Sequence, residues 1–481
     1  MGQELQQKIR WKDVTDTNDL QNRQVAAEVH MSIDVELTDL AYGGDAVGRY
    51  EGRVLFVPGG IPGERVRVDI VEERRGHARA ELLEILRPAP ERVEPSHPLL
   101  TDCGCQWQHI AYPAQLTWKA HIVRQLLVRI GKQPDAMVHP TLGMPNGLSP
   151  WQYRNIALFS VGPAGEVGFK LTDSHEVQDL EECALLHPAL DMVYQRIREK
   201  LITYFGDSLS EMMQGFTLRG AIGTVNNNTG DINAVKAVPS LLSLHARPGS
   251  QIEDPQQLAN ELMTIAPGMV GVIVERVGGR YGRVVAGQEF LTDMVLGRRF
   301  RVSSDSFFQV NLVQTAVLIE KALQMLEPQR TEVALDGYSG VGLFSAFLAA
   351  RSARVVAIES QPSAVMDARA NATLNNQNNI TTLEGTLERI LGQLHYRRER
   401  IDIALVDPPR AGCHPKALQA LQILGPRNIC YVSCDPSTLA RDIATLCANG
   451  RYRLVAAQPI DMFPQTFHIE CVALLARVGS R

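Results

Sequence analysis

Cys434 stands where an apolar, strand-like run (429–433) gives way to Asp435-Pro436-Ser437-Thr438 and a helical run. A thiol at a strand-to-helix transition meets backbone N–H groups and the positive end of a helix dipole. Both favour thiolate, so Cys434 is the candidate nucleophile. Cys430 and Cys447 fall inside elements and are expected to pack. Cys471 is expected to pack in the last strand, and Cys413, just past Asp407-Pro408-Pro409-Arg410, is expected to pack rather than line a site. Glu470 opens the final apolar run and is the candidate carboxylate of the same cleft, with a surface position as the alternative. Asp407 ends a third short apolar run, 403–406, and the two prolines after it stiffen the chain as it leaves the sheet.

Each of these residues ends or begins a strand, so a sheet must bring them to one edge. The run 332–336 ends in Asp336 and continues as Gly337-Tyr338-Ser339-Gly340-Val341-Gly342, then an apolar helical stretch. Strand, glycine turn and helix make the first unit of a doubly wound sheet, in which backbone approaches a ligand closely. The next strand, 354–358, ends at Glu359, about where a carboxylate can take ribose hydroxyls. NAD sites share this plan. The GxxGxG spacing, in place of GxGxxG, points to S-adenosylmethionine, which has no pyrophosphate to seat on the helix.

Upstream the pattern differs. Residues 1–30 are polar, without sustained periodicity, and are expected to be a flexible extension. Residues 31–90 read as a small β-barrel, with strands at 33–37, 53–57, 65–71 and 78–85 and a turn-rich loop at 41–49. Arg65, Arg67, Arg74, Arg75 and Arg79 could form a phosphate-tracking stripe. Yet residues 31–95 hold 9 Lys/Arg against 13 Asp/Glu, so charge alone does not mark an RNA binder. The proline-rich 87–98 reads as a linker. Residues 91–305 read as an α+β central domain, with helices at 114–130 and 190–205, a strand at 156–161 and an Asn/Gly turn at 225–231. Residues 306–481 are the α/β cofactor domain, entered through the helix 312–326.

The 481 residues are 45% hydrophobic and 21% charged, which excludes disordered, collagen-like and coiled-coil classes. A net charge of -5 means that any nucleic-acid binding must rest on local features. No apolar run reaches the length of a membrane span, and the N-terminus has no apolar signal core. A cytoplasmic location without membrane attachment is expected. Eight cysteines are too sparse for a disulfide scaffold.

Five segments together carry a specific resemblance: 303–311 (SSDSFFQVN), 336–345 (DGYSGVGLFS), 407–413 (DPPRAGC), 431–442 (YVSCDPSTLARD) and 461–470 (DMFPQTFHIE). From about residue 31 onward the chain resembles the RNA uracil-5-methyltransferase family, most of all its bacterial 23S ribosomal RNA members. The resemblance implies an RNA-binding TRAM barrel at 31–90 and an α/β methyltransferase domain that uses S-adenosyl-L-methionine. It implies Cys434 as nucleophile, Glu470 as general base, and Gln309, Tyr338, Glu359 and Asp407 as cofactor contacts, Asp407 also positioning the base. Phe307 and Phe308 could stack on a base, with core packing expected for at least one.

Many members of the family hold a four-iron four-sulfur cluster in a C-x5-C-G-G-C arrangement plus a distant cysteine. Here Ser96 or His97 stands in the first position, Cys103 and Cys105 follow around a single Gly104, and Cys183 matches the distant ligand. A 4Fe-4S cluster completed by His97 and a lost cluster are the two alternatives. The expected partner is RNA, with 23S ribosomal RNA favoured over transfer RNA, and a monomer is expected. A cytosine-5 enzyme and a non-catalytic RNA-binding relic are the competing functions.

Overall fold

The computed structural model describes residues 32–172, 174–223, 238–250, 252–275 and 283–479. The N-terminal extension and the Asn/Gly turn at 225–231 lie outside them. One compact unit runs to Glu94 and takes in His109–Ala111; a second comprises Pro95–Gln108 and Tyr112–Arg481.

In the first unit, β1 (Ser32–Leu40), β2 (Ala46–Tyr50), β3 (Arg53–Val57), β4 (Arg65–Arg74) and β5 (His77–Arg87) close a barrel in the order β1-β2-β3-β5-β4. Strict alternation sends Ile33, Val35 and Leu37 of β1 inward. β2 lies inside the stretch expected to be a loop. Its glycine is needed in the strand, because a Cβ on Gly48 would come within 2.8 Å of Val35 Cγ2. Glu64 is fully buried: its carboxylate accepts from Ile61 N (2.9 Å) and from Arg92 Nε (2.6 Å) and Nη2 (2.8 Å). Three of the five arginines of the expected stripe are matched by carboxylates. Arg65 and Arg67 pair with Asp34, Arg67 also with Glu84, and Arg74 with Glu72.

The second unit contains two seven-stranded sheets. The first is mixed. Its strands are β6 (Ile156–Val161), β7 (Val167–Lys170), β8 (Val177–Asp179), β9 (Met213–Gly220), β10 (Ser240–Ala246), β11 (Met269–Glu275) and β12 (Arg283–Gly287), in the order β12-β11-β10-β9-β6-β7-β8. Helices α2 (Pro188–Phe205), the single turn α3 (Leu209–Met212) and α4 (Pro255–Ile265) accompany it, whereas α1 (Tyr112–Arg129) packs on the second sheet. Phe159 and Phe216 from the sheet and Tyr194 from α2 stack at its centre, with ring centroids 4.0 to 6.2 Å apart. A hairpin, β13 (Phe290–Val295) and β14 (Arg298–Ser303), follows.

The second sheet is the expected doubly wound α/β layer. Strands β15 (Val333–Gly337), β16 (Arg354–Glu359), β17 (Ile380–Glu384), β18 (Ile403–Val406) and β19 (Asn428–Ser433) run parallel, while β20 (Tyr452–Ile460) and β21 (Glu470–Arg477) are antiparallel. Their order is β17-β16-β15-β18-β19-β21-β20, so the order in which strands are added reverses between the parallel neighbours β15 and β18. Ligands of such sheets sit at that switch point. Helices α5 (Leu312–Leu326), α6 (Leu343–Ala349), α7 (Pro362–Leu374), α8 (Leu387–Tyr396), α9 (Pro415–Leu424) and α10 (Pro436–Cys447) complete it. β18 is buried at all four positions and reads IALV, as a parallel strand covered on both faces must. Among the described residues, no helix is long and apolar enough to cross a membrane.

Candidate active site

Strand register brings the two leading candidates together. Ser433 of β19 pairs with Cys471 of β21, so Cys434 and Glu470, each one residue beyond that pair, come to the same sheet edge, where the Glu470 charge acts on the thiol. Asp407 leaves the neighbouring strand β18 at the same edge, its N–H bonded to Gly337 O at 3.1 Å. Cys434 is half-buried and Glu470 is 3% exposed.

The electrostatics differ from the simple expectation for a helix N-terminus. Burial, then the carboxylates of Glu470 and Asp407, push the Cys434 thiol up to about 11, opposed by the Arg410 guanidinium. Asp435 caps the helix end, its Oδ1 accepting from Ser437 N (2.8 Å) and Thr438 N (3.1 Å), and the backbone N–H of Cys434 itself favours thiolate without outweighing burial. Glu470 is held well above the usual carboxylate range by burial and by Asp407, with Arg410 again opposing. Asp407 is pushed up to about 7 by burial. Arg410 is therefore the cation of this cluster. It stands in the quoted Asp-Pro-Pro-Arg segment, but nothing in its local sequence distinguishes it from a surface arginine.

The loop that carries Asp407 and Arg410 is gripped by α10, the helix that starts two residues after Cys434. Asp442, buried on α10, accepts from Cys413 N (2.8 Å) and Tyr431 Oη (2.6 Å). Thr438 Oγ1 donates to Arg410 O (3.1 Å) and Arg441 Nη2 to Ala411 O (2.8 Å). Gly412 must be glycine here: its φ is +78° and a Cβ would lie 2.7 Å from Asp442 Oδ2. The carboxylate, the cation and the thiol are thus parts of one rigid assembly. Asp442 was recoverable only as a carboxylate inside an otherwise amphipathic helix.

The loop 461–470, which leads to Glu470, is docked on α1. Lys119 Nζ donates to Asp461 Oδ1 (2.5 Å) with both side chains fully buried, and Gln115 and Gln465 exchange hydrogen bonds at 2.9 and 3.1 Å. Tyr153 Oη donates to Pro464 O (3.3 Å). His468, in the same loop, is depressed to about 4 by burial and by the nearby Arg410.

A cavity of about 560 Å³ opens at the switch point, lined among others by Tyr338, Glu359, Thr386, Leu387 and Cys413. Cys413 is buried, as expected of a packing residue, and also forms part of the cavity wall; burial pushes its thiol up to about 12. Tyr338 takes the left-handed conformation (φ 62°) in the glycine turn. Glu359 Oε2 accepts from Gly340 N (2.9 Å), and its Oε1 accepts from Ser360 N (2.6 Å) and Gln361 N (2.7 Å). Gln309 is 7% exposed, and Asn155 Nδ2 donates to its carbonyl at 3.1 Å. Of the two phenylalanines beside it, Phe308 is core and Phe307 is 69% exposed.

The residues fit S-adenosylmethionine. Asp336 Oδ1 and Ser339 Oγ are buried without a hydrogen-bond partner among the described residues, and a Cβ on Gly340 would meet open space. Burial pushes Asp336 up to about 7, which a cationic ligand would reverse.

The residues do not fit a four-iron four-sulfur cluster. Only three thiols are near one another, and Cys103 Sγ donates to Leu99 O (3.2 Å). The His97 ring instead packs edge-on against Trp151, with centroids 4.6 Å apart. Among the described residues no group of three or more His, Cys, Asp or Glu side chains is gathered to hold a metal ion.

Residues 251–478 match the family model of tRNA (uracil-5-)-methyltransferases and residues 28–83 that of the TRAM domain. An uncharacterized RNA methyltransferase of Halalkalibacterium halodurans is 34% identical over 452 residues, covering 92% of this chain and 96% of its own. Another, from Caldanaerobacter subterraneus, is 35% identical, covering 92% and 98%. The crystal structure of the Pyrococcus abyssi tRNA (uracil-54, C5)-methyltransferase with S-adenosyl-L-homocysteine shares the fold, with a TM-score of 0.69 at 23% identity, covering 92% of this chain and all of that one. The chain belongs to the RNA uracil-5-methyltransferase family, enzymes dependent on S-adenosylmethionine, and it carries the family's TRAM domain.

Proposed function

We propose that this enzyme methylates carbon 5 of one uridine in 23S ribosomal RNA through a covalent cysteine–uracil adduct. The observation that carries the chemistry is the register of β19 and β21, which brings Cys434 and Glu470 to one sheet edge beside Asp407 and Arg410.

A uracil ring is too electron-poor at carbon 5 to be methylated directly. The Cys434 thiolate bonds to carbon 6, and the electrons of the C5–C6 double bond shift so that carbon 5 becomes the nucleophile. Gln309, Tyr338, Glu359 and Asp407 would hold S-adenosylmethionine, which would supply the methyl group to carbon 5, the S–CH3 bond breaking to leave the neutral thioether S-adenosylhomocysteine. Glu470 as carboxylate then takes the proton from carbon 5, the double bond re-forms, and the C6–S bond breaks to return the Cys434 thiolate. Arg410 favours thiolate in the free enzyme by offsetting the two carboxylates. The target uridine must leave its stack to enter such a site.

Ribosomal RNA is favoured because the TRAM barrel and the remnant cysteine segment resemble the ribosomal members. Transfer RNA is the second reading, favoured by the tRNA specificity of the Pyrococcus abyssi enzyme that shares the fold. Incubation with S-adenosylmethionine and 5-fluorouridine-substituted RNA decides between them, because fluorine cannot leave carbon 5 as a proton. A denaturant-stable adduct on Cys434 with 23S RNA is expected. An adduct with transfer RNA alone would move the assignment, and none with either RNA would refute the mechanism. We further propose that the enzyme works without an iron–sulfur cluster; stoichiometric iron and sulfide in anaerobically purified protein would refute this.

A further inference from the structure

The outer face of the mixed sheet carries a second concavity. Alternation along β6 sends Ala157, Phe159 and Val161 into the core, and Ile156, Leu158 and Ser160 to the opposite side. There a groove of about 650 Å³ is lined by Leu158, Lys170, His175, Thr217, His245 and Arg247 among others, and no carboxylate of the described residues lines it. Leu158, on its wall, is 61% exposed. Lys170 is exposed, and among the described residues neither Lys170 nor Arg247 makes an ion pair. That contrasts with the barrel, where Arg65, Arg67 and Arg74 are matched by carboxylates.

The same face leads to the candidate active site. Leu158 pairs with Thr217 and Ile156 with Arg219, two residues along β9. Arg219 Nη2 donates to Ser306 O (2.8 Å), next to exposed Phe307 and three residues before Gln309. From Ser160 to Ile156 is four residues, ~13 Å of strand. A cationic groove with exposed Leu158 on its wall, on the sheet whose strand β9 runs on to Arg219 and the loop of Phe307 and Gln309, matches a strand of phosphates and bases.

We propose that this groove binds the RNA backbone on its way to the target uridine, with Lys170 and Arg247 on phosphates and Leu158 against a ribose or base. This rests on the reading of the chain as an RNA-modifying enzyme, and it places sequence-independent affinity on the mixed sheet. Phosphate contacts position RNA without reading its sequence, so ribosomal and transfer RNA should be affected alike.

The test is RNA affinity measured across 50–300 mM KCl by fluorescence anisotropy, with transcripts of 23S RNA and of a transfer RNA. The variants are Lys170→Glu/Arg247→Gln and Lys170→Glu/Gln214→Glu. The second leaves the Arg247 contact to Ser210 O intact and adds a carboxylate at an exposed groove position. Both variants should bind both RNAs about tenfold or more weakly near 0.1 M salt, and the first should flatten the salt slope by ~1.5, as loss of two phosphate contacts requires. The KM for RNA should rise with kcat within twofold, and S-adenosylmethionine affinity and thermal unfolding should not change. RNA affinity and slope unchanged in both variants, with adduct formation on Cys434 intact, would overturn the groove alone. A parent chain that binds neither RNA would overturn the groove and the proposed function together.

Discussion

Replacing Glu470 by glutamine removes a buried carboxylate without changing side-chain volume, and it should separate two roles of that residue. As the base for the carbon 5 proton, Glu470 is needed only after the methyl group has arrived. The variant should therefore form the adduct and stall there, with turnover lowered by a factor of about 10² to 10⁴. As a charge beside Cys434, Glu470 also adds to the burial that pushes the thiol up to about 11. Two groups ~5 Å apart at an effective dielectric constant of 20 interact by about 3 kcal/mol, or roughly two pKa units when both are fully charged. Arg410 offsets part of this interaction, so a fall of about one unit is expected. Alkylation of Cys434 by iodoacetamide at pH 8, followed by peptide mass spectrometry, should be about tenfold faster in Glu470→Gln, and Arg410→Leu should slow it. A methylated protein–RNA adduct should accumulate on denaturing gels. Turnover within tenfold of the parent, or alkylation no faster than in the parent, would refute the corresponding half of the reasoning.

Cys434→Ala should abolish turnover while S-adenosylmethionine binds within about twofold of the parent by calorimetry, since the cofactor residues do not depend on the thiol; detectable turnover would refute the assignment. Lys119→Met leaves Asp461 charged and buried, and should cost about 3–5 kcal/mol in urea unfolding. The double variant Lys119→Met/Asp461→Leu should regain most of that, and a single-variant loss below about 1 kcal/mol would show that the pair is not the anchor of the loop. S-adenosylmethionine affinity should depend on pH with a definite sign. Asp336 and Asp407 are both raised to about 7, so below that pH a cationic ligand must displace protons. Affinity should tighten about tenfold from pH 6 to pH 8 with proton release on binding, and pH-independent affinity would refute the charge argument. By the same linkage these raised carboxyls keep protons in the folded chain that the unfolded chain has lost. Their contribution to stability therefore falls as pH rises from about 4 to 7.

Much of the fold was legible because it is local. The runs 403–406 and 312–326 coincide with β18 and α5, since apolar period and length suffice when an element is buried on a sheet. The glycine turn after Asp336 was legible for the same reason. β2 was not, because Gly48 reads as a turn residue unless one knows that Val35 presses against it. The barrel arginines looked like a phosphate track in sequence, and only the β1–β4–β5 pairing shows that carboxylates face Arg65 and Arg67. Cys413 looked like packing and is buried, and only the folding of its loop onto Asp442 also makes it part of the cavity wall.

Sequence by itself determined the kinds of group available: a thiol, carboxylates at strand ends, a glycine turn, and motifs specific enough to name the family. Those are matters of composition and short-range spacing. The tertiary structure alone decided how those groups act on one another. Cys434 and Glu470 are 36 residues apart in the chain and meet through the register of two antiparallel strands. Arg410 becomes their counter-charge because α10 grips its loop. The helix end expected to favour thiolate is already capped by Asp435, and burial with two carboxylates pushes the thiol the other way. Charge interactions depend on distance and local dielectric, and neither is encoded in any one segment.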